Sequence, residues 1–265
     1  MGSKSKYNEI IERIFLSKFR SGASEISFER SDIVAVAEDL GIEYPKNLGD
    51  VVYSFRYRSS LPAKVRAKAP KGMTWIIRAA GRGRYRFSLV RDISLDPNEN
   101  IAETKIPDAT PGIVSKHSLS DEQALLAKVR YNRLVDVFTG ITCYSLQSHL
   151  RTTVPNMGQI ETDEIYIGVD KRGVQYVIPV QAKGGKDRLS VVQIEQDLAM
   201  CEHKFPELVC RPVGAQFMRE EVIALFEFEL GNGGVRVAGE RHYRLVEPDQ
   251  VSDAELRGYR SRLSE

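Results

Sequence analysis

The sequence predicts an α/β protein: a mixed sheet flanked by helices in residues 120–265, preceded by a small α+β domain in residues 1–91, with 92–119 as a linker. Three observations predict this. Apolar residues in the opening third first recur at helical spacing and then alternate across a glycine turn. The second half runs helix, strands, helix, strands. Basic residues are concentrated in one segment of a chain whose net charge is only +2. At 265 residues and 42% hydrophobic content, the chain is long enough for two ordinary domains.

The first helix follows from Tyr7, Ile10, Ile11, Ile14, Phe15 and Phe19, which fall on one helical face. A second has Ser31 or Asp32 as its cap, Ile33, Val36, Ala37 and Leu40 as its apolar face, and Gly41 as its stop. A third starts at Asn47, turns Leu48, Val51, Val52 and Phe55 inward, and ends before Pro62 with Arg56 and Arg58 near its end. Two strands follow, Thr74 to Arg78 and Arg84 to Leu89, joined by Gly81-Arg82-Gly83. Three helices and a basic hairpin are the order of a winged helix, whose third helix enters the major groove of DNA. A small helical domain with an unrelated hairpin is the alternative.

Charge favours the DNA-facing reading. Between Lys46 and Arg91 the basic residues are Lys46, Arg56, Arg58, Lys64, Arg66, Lys68, Lys71, Arg78, Arg82, Arg84, Arg86 and Arg91, against the single acid Asp50. The remainder of the chain is therefore net acidic. A one-signed segment suits a polyanion, because neutralising phosphates releases condensed counterions. A charged surface that binds nothing is the competing reading. Arg56, Arg58, Lys64, Arg78, Arg82, Arg84 and Arg86 are the expected DNA contacts.

The stretch Asp92 to Ser120, with Pro97, Pro107 and Pro111, reads as the linker. A helix is expected from Asp121, capped there or at Ser120, to about Phe138. Strands follow at Ile141 to Val154, Ile160 to Val169 and Gln175 to Lys183. Ser190 and Gln193 form an S-x-x-Q capping box for a helix carrying Val191, Ile194, Leu198, Cys201 and Phe205. Strands at Leu208 to Phe217 and Glu221 to Leu230, a turn at Asn232-Gly233-Gly234, a strand to Val246 and a helix from Asp253 to Leu263 complete the order.

The chemistry is concentrated in the hairpin around Asp170-Lys171-Arg172-Gly173. By strand alternation Glu161 and Asp163 share a face with Ile165, Ile167 and Val169, and Gln181 and Lys183 share one with Val177 and Pro179. If Val169 faces Gln175, then Asp163 faces Gln181 and Glu161 faces Lys183, and four polar residues gather at one end of an apolar face. A one-residue slip would send Gln181 and Lys183 to the opposite side. Polar groups so placed need a cation or each other. Spacing alone leaves open a magnesium site, since carboxylate oxygens suit that ion, or a structural ion-pair cluster.

The stretch from Gly158 through Glu161 and Asp163, followed by Gln181-Ala182-Lys183-Gly184-Gly185 and a helix, resembles the PD-(D/E)XK nuclease superfamily, which includes type II restriction endonucleases. The resemblance covers roughly residues 120–217 and implies a restriction-endonuclease-like fold and Mg2+-dependent hydrolysis of double-stranded DNA. It implies Asp163 as the principal metal ligand, Lys183 as the catalytic lysine, the carbonyl of Ala182 as a further ligand and Glu161 as an additional acid. Gln181 departs from the usual carboxylate in that motif, bringing an oxygen without charge. The Q-x-K form is also similar to Mrr-like enzymes that cut modified DNA, and Gln193 resembles a helix glutamine of some branches. Pro155-Asn156 resembles the family's Pro-Asp only loosely.

Other readings are weaker. Cys143, Cys201 and Cys210 show no CxxC spacing and read as reduced core residues. Cys201 and His203 lack further ligands for a metal. No apolar run is long enough for a membrane span, no signal-peptide core is present, and a cytoplasmic location is expected. A homodimer would suit palindromic DNA and is left open. From a different class, the alternative is a winged-helix regulator with a non-catalytic nuclease-like half.

Overall fold

The computed structural model describes residues 3–43, 47–117, 122–155, 157–184, 187–218 and 222–262. Lys46, Ser120, Asp121, Asn156, Gly185, Glu221 and Leu263 therefore lie outside the described residues. The first unit comprises α1 (Ser3–Lys18), β1 (Glu25–Glu29), α2 (Arg30–Asp39), α3 (Gly49–Tyr57), α4 (Ala63–Arg66), β2 (Met73–Ala79) and β3 (Arg84–Arg91). Its three strands are ordered β1-β3-β2 and are all antiparallel. Strand β1 was not expected from the sequence. Ile26 and Phe28 are buried between exposed Glu25, Ser27 and Glu29, an alternation only five residues long. The core packs Ile10, Ile14 and Phe15 of α1 against Ile33, Val51, Trp75 and Phe87.

Helix ends follow local hydrogen bonding. Asp32 serves the start of α2 from inside its first turn, accepting the Glu29 N–H at 2.7 Å, so Glu29 and not Asp32 is the cap. The Asn47 side chain accepts the Gly49 N–H at 3.1 Å and so closes the open end of α3.

The second unit contains β4 (Glu103–Pro107), α5 (Gly112–His117), α6 (Glu122–Tyr131), α7 (Leu134–Thr139), β5 (Thr142–Val154), β6 (Gly158–Val169), β7 (Gln175–Lys183), α8 (Val191–Lys204), β8 (Val209–Cys210), β9 (Val213–Phe217), β10 (Val222–Gly231), β11 (Gly234–Val246) and α9 (Asp253–Ser261). The sheet runs β4-β11-β10-β9-β7-β6-β5, with β8 also paired to β7. It is mixed: β9 and β8 run parallel to β7, and β4 runs parallel to β11. Leu125, Leu126, Val129, Leu134 and Val135 of α6 and α7 pack on one face, over Tyr166, Ile178 and Val180. Ile194, Met200 and Cys201 of α8 pack on the other, over Phe226 and Phe228 and over Ile165 and Val177. The expected α/β arrangement, a mixed sheet flanked by helices, is what the chain forms.

Three expected boundaries differ, the strand expected over Leu208 to Phe217 being two, β8 and β9. The stretch read as a linker contributes β4 to the sheet edge and buries Leu95 beside Leu189 and Ile194. The single helix expected to reach Phe138 breaks into α6 and α7 at Arg133, which adopts a left-handed φ of 50°. Asn132 just before the break is buried, accepts the Ala109 N–H at 2.7 Å and donates to Asp108 and Thr110 at 3.1 and 2.9 Å. These tertiary bonds outweigh helical continuity.

The two units meet along α8. Arg78 of β2 makes a two-pronged ion pair with Glu195, with Nε at 2.8 Å. Tyr57 donates to Gln196 at 3.0 Å, and Ser190 donates to the Arg56 carbonyl at 2.8 Å. No helix among the described residues is long and apolar enough to cross a membrane.

Gly214 of β9 pairs with Gln181 of β7, and a β-carbon there would lie 2.5 Å from Leu189 Cδ1 and 3.0 Å from Phe228 Cε2. Both neighbours are buried and have little room to move. Gly214→Val is expected to destabilise the protein by about 1–3 kcal/mol in urea unfolding; an unchanged midpoint would mean that this packing is looser than described.

Candidate active site

Strands β6 and β7 pair in the register expected from sequence: Val169 with Gln175, Ile167 with Val177, Ile165 with Pro179, ending at Glu164 with Val180. Beyond that point the strands separate and β7 continues alongside β9. The opening places Asp163 against the β7 backbone, where its Oδ2 accepts the Ala182 N–H at 2.8 Å.

The expected sharing of one face does not hold through Asp163. Ile160 packs toward α8, and Thr162 donates to Asp197 of α8 at 2.6 Å. Two residues on, Glu164 points to the opposite face, where it accepts from Arg130 of α6 at 2.9 Å and from Ser145 at 2.6 Å. Alternation therefore flips at Asp163. Strand β5 mirrors the break: Ser148 pairs with Glu164 and Leu150 with Thr162, but the intervening pair of His149 with Asp163 is absent, and His149 has a φ of 50°. A left-handed non-glycine residue in a strand is costly and locally opens the ladder.

Consequently the four expected residues gather at one end of the hairpin but in different pairings. Glu161 leaves the Ile165 face and meets its cross-strand partner Arg151 at 3.0 Å, with His149 at 3.9 Å. Lys183 is largely buried and donates to Glu122, in the first turn of α6, at 3.1 Å. Gln181 is fully buried: its Nε2 donates to both Asp197 oxygens at 3.2 and 3.0 Å and to the Glu161 carbonyl at 3.3 Å, and its Oε1 accepts from Gln193 at 3.0 Å. Gln193 thus reaches into the site and does not close a capping box; Ser190 alone caps α8, accepting the Val192 N–H.

Asp197 and Glu122 were not anticipated. Asp197 is wholly buried, and burial, reinforced by nearby Asp163, pushes its carboxyl up to about 7 despite bonds from Thr162 and Gln181 and the charge of Lys183. A signal for it did exist, since Ile194, Asp197 and Cys201 share one face of α8 by their spacing of three and four. Asp163 is also raised, mainly by burial and partly by Glu161, against the Ala182 N–H, Lys183 and His149. Among the described residues, no three His, Cys, Asp or Glu side chains converge as a metal-ligating group.

The basic residues divide into two sets. Arg78 is engaged with Glu195, Arg86 with Glu25 at 2.9 Å and Lys64 with Glu12 at 2.7 Å. Arg82 and Arg84 remain exposed at the β2–β3 turn, whose glycines Gly81 and Gly83 have φ of 115° and 70°. Arg56 and Arg58 lie at the end of α3, stacked on Tyr57 and Tyr53. Cys143, Cys201 and Cys210 are all free thiols.

Because the folded state holds the Asp197 proton more tightly than the unfolded chain, its contribution is favourable in acid. It is lost as pH rises from the ordinary carboxylate range to about 7. Melting of wild type and Asp197→Asn should therefore diverge in the variant's favour between pH 5 and pH 8. A difference that stays constant across that range would contradict the buried, proton-holding carboxyl.

No family model matches this chain, no curated protein matches it, and no solved structure matches it.

Proposed function

We propose that the protein is a metal-dependent endonuclease that hydrolyses phosphodiester bonds of double-stranded DNA, most like a sequence-specific type II restriction enzyme of the PD-(D/E)XK superfamily. One observation carries the reading: the β6–β7 register sets Asp163 against Ala182, next to Lys183, where the strands part. That is the juxtaposition the acid and the Q-x-K run require. The helix–sheet–helix layering supports the restriction-endonuclease-like assignment. The order helix, strand, helix, helix, a four-residue helix and hairpin, with β1 added to the hairpin's β3 edge, supports a winged-helix reading of the first unit.

The donor set fits a magnesium site with one carboxylate. Asp163 and the carbonyl of Ala182 would hold the ion, and water and substrate phosphate would complete its shell, the usual arrangement for this cation. Gln181 would join only by releasing Gln193. When bound, such an ion supplies Lewis acidity toward the phosphate and lowers the pKa of a coordinated water. The chain's own groups do the rest. The Ala182 N–H fixes the orientation of the Asp163 carboxylate, and the Lys183 ammonium offsets negative charge developing on the phosphate. Glu122 holds that ammonium at the site until DNA arrives.

Supercoiled plasmid should be cut with Mg2+ and not with EDTA, and Asp163→Ala or Lys183→Ala should lower the rate by roughly 100-fold or more. Cutting by both variants at the wild-type rate would remove the reaction from this site. At the β2–β3 turn, replacing Arg82 and Arg84 together should weaken DNA binding and flatten its salt dependence by up to about two phosphate contacts. An unchanged slope in a salt titration would take that turn off the DNA.

Specific observations favour two second readings. Gln181 in the Q-x-K run, held in the site by Gln193 at 3.0 Å, favours the modification-dependent, Mrr-like form of the same chemistry. Comparing cleavage of methylated and unmethylated substrate separates the two. The pairing of Glu161 with Arg151, and the full engagement of Gln181, favour a winged-helix regulator with an inert nuclease-like half. DNA binding without Mg2+-dependent cutting is the outcome that reading requires.

A further inference from the structure

Where the end of α3 and strand β2 meet the start of α8, a cavity of about 380 Å3 separates the two units. Arg56, Arg58, Arg66 and Arg188 line it, and none of the described residues that line it is acidic. Internal partners neutralise little of this charge. Arg188 meets Asp96 at 3.1 Å, but the pair is solvent-exposed. Arg66 donates one nitrogen to the Leu61 carbonyl, a neutral acceptor. Arg58 and Arg56 rest on tyrosine rings, which leave the cationic charge in place.

Trp75 also lines the cavity and is only 3% exposed. The 14-residue helix α8 starts at the same place, with its cap Ser190 in the wall, so the positive end of its dipole lies there too. Four guanidiniums and a helix start exceed what the two oxygens of one carboxylate can satisfy. A phosphate group, with three or four acceptor oxygens and the geometry that guanidinium forks match, suits the set.

We propose that this cavity is a phosphate-binding site, separate from the Asp163–Lys183 site, that takes either free phosphate or a DNA backbone phosphodiester. It does not depend on strand cleavage. This role rests on the proposed function: with DNA bound across both units, a phosphate seated here would fix the two halves in register on one duplex.

Trp75 is the only tryptophan in the chain, so its emission reads the cavity directly. The full chain in EDTA would be titrated with inorganic phosphate, and separately with a short duplex lacking terminal phosphates, against sodium chloride at equal ionic strength. A saturable emission change is expected with at least one ligand, weakened by roughly tenfold or more in the Arg58→Gln, Arg188→Gln double variant. Saturation by inorganic phosphate identifies a site open to free phosphate, and saturation by duplex alone identifies a backbone contact; both support the proposal. An emission change matched by chloride, no change with either ligand, or an unaltered titration in the variant overturns it. Both arginines are exposed, and circular dichroism checks that the variant is folded; should it unfold, Arg58→Glu alone carries the same expectation.

Discussion

The architecture around the hairpin depends on one buried carboxyl. Asp197 is closed off from solvent between α8 and the sheet, and a polar group so placed must be hydrogen-bonded. Its partners are Thr162 from β6 and Gln181 from β7. Drawing Thr162 onto the α8 face while Glu164 is held on the other face by Arg130 forces the strand to change sides between them. Asp163 sits at that change of side, released from the ladder and free to reach Ala182. The carboxyl buried on α8 thus accounts for the reach of the Asp163 carboxylate on β6 to the β7 backbone.

Helix α8 performs this while also carrying the first unit. Gln193 and Asp197, one turn apart, face the sheet, whereas Glu195 and Gln196 face Arg78 and Tyr57. A helix is stiff along its axis, so the residue that positions Gln181 and the residues that hold the basic unit cannot move independently. Glu195 also removes Arg78 from the set of arginines open to a polyanion. What remains available lies at the β2–β3 turn and around the cavity at the start of α8. The basic surface is therefore narrower than the charge count of the segment implies.

Much of this was legible in the sequence. Matching apolar pairs across a turn of the right length pointed to the register from Val169–Gln175 to Ile165–Pro179, because a slip would send Gln181 and Lys183 to the opposite face. Helices α1, α2 and α3 followed from their apolar periodicity, whereas the four-residue α4 was not expected. What escaped was set by tertiary contacts. Strands β1 and β4 are five residues each, too short to stand out from loop composition. The break at Arg133 carries no glycine or proline and is imposed by the bonds of Asn132 to residues 108–110. The change of face at Asp163 breaks the very alternation used to place Glu161, and no local residue announces it. Asp197 was the more accessible miss: an acid at a core position of an otherwise apolar helical stripe is a signal in itself.

The central claim is that Asp163, the Ala182 backbone and Lys183 together form a site for phosphodiester hydrolysis in duplex DNA. The most direct measurement is sequencing of the DNA ends left after incubation with the protein and Mg2+. New ends are expected at defined positions, with a constant relation between the cuts on the two strands, and should disappear in the Lys183→Ala protein. An absence of new ends, or the same ends from the Lys183→Ala protein, would contradict that claim.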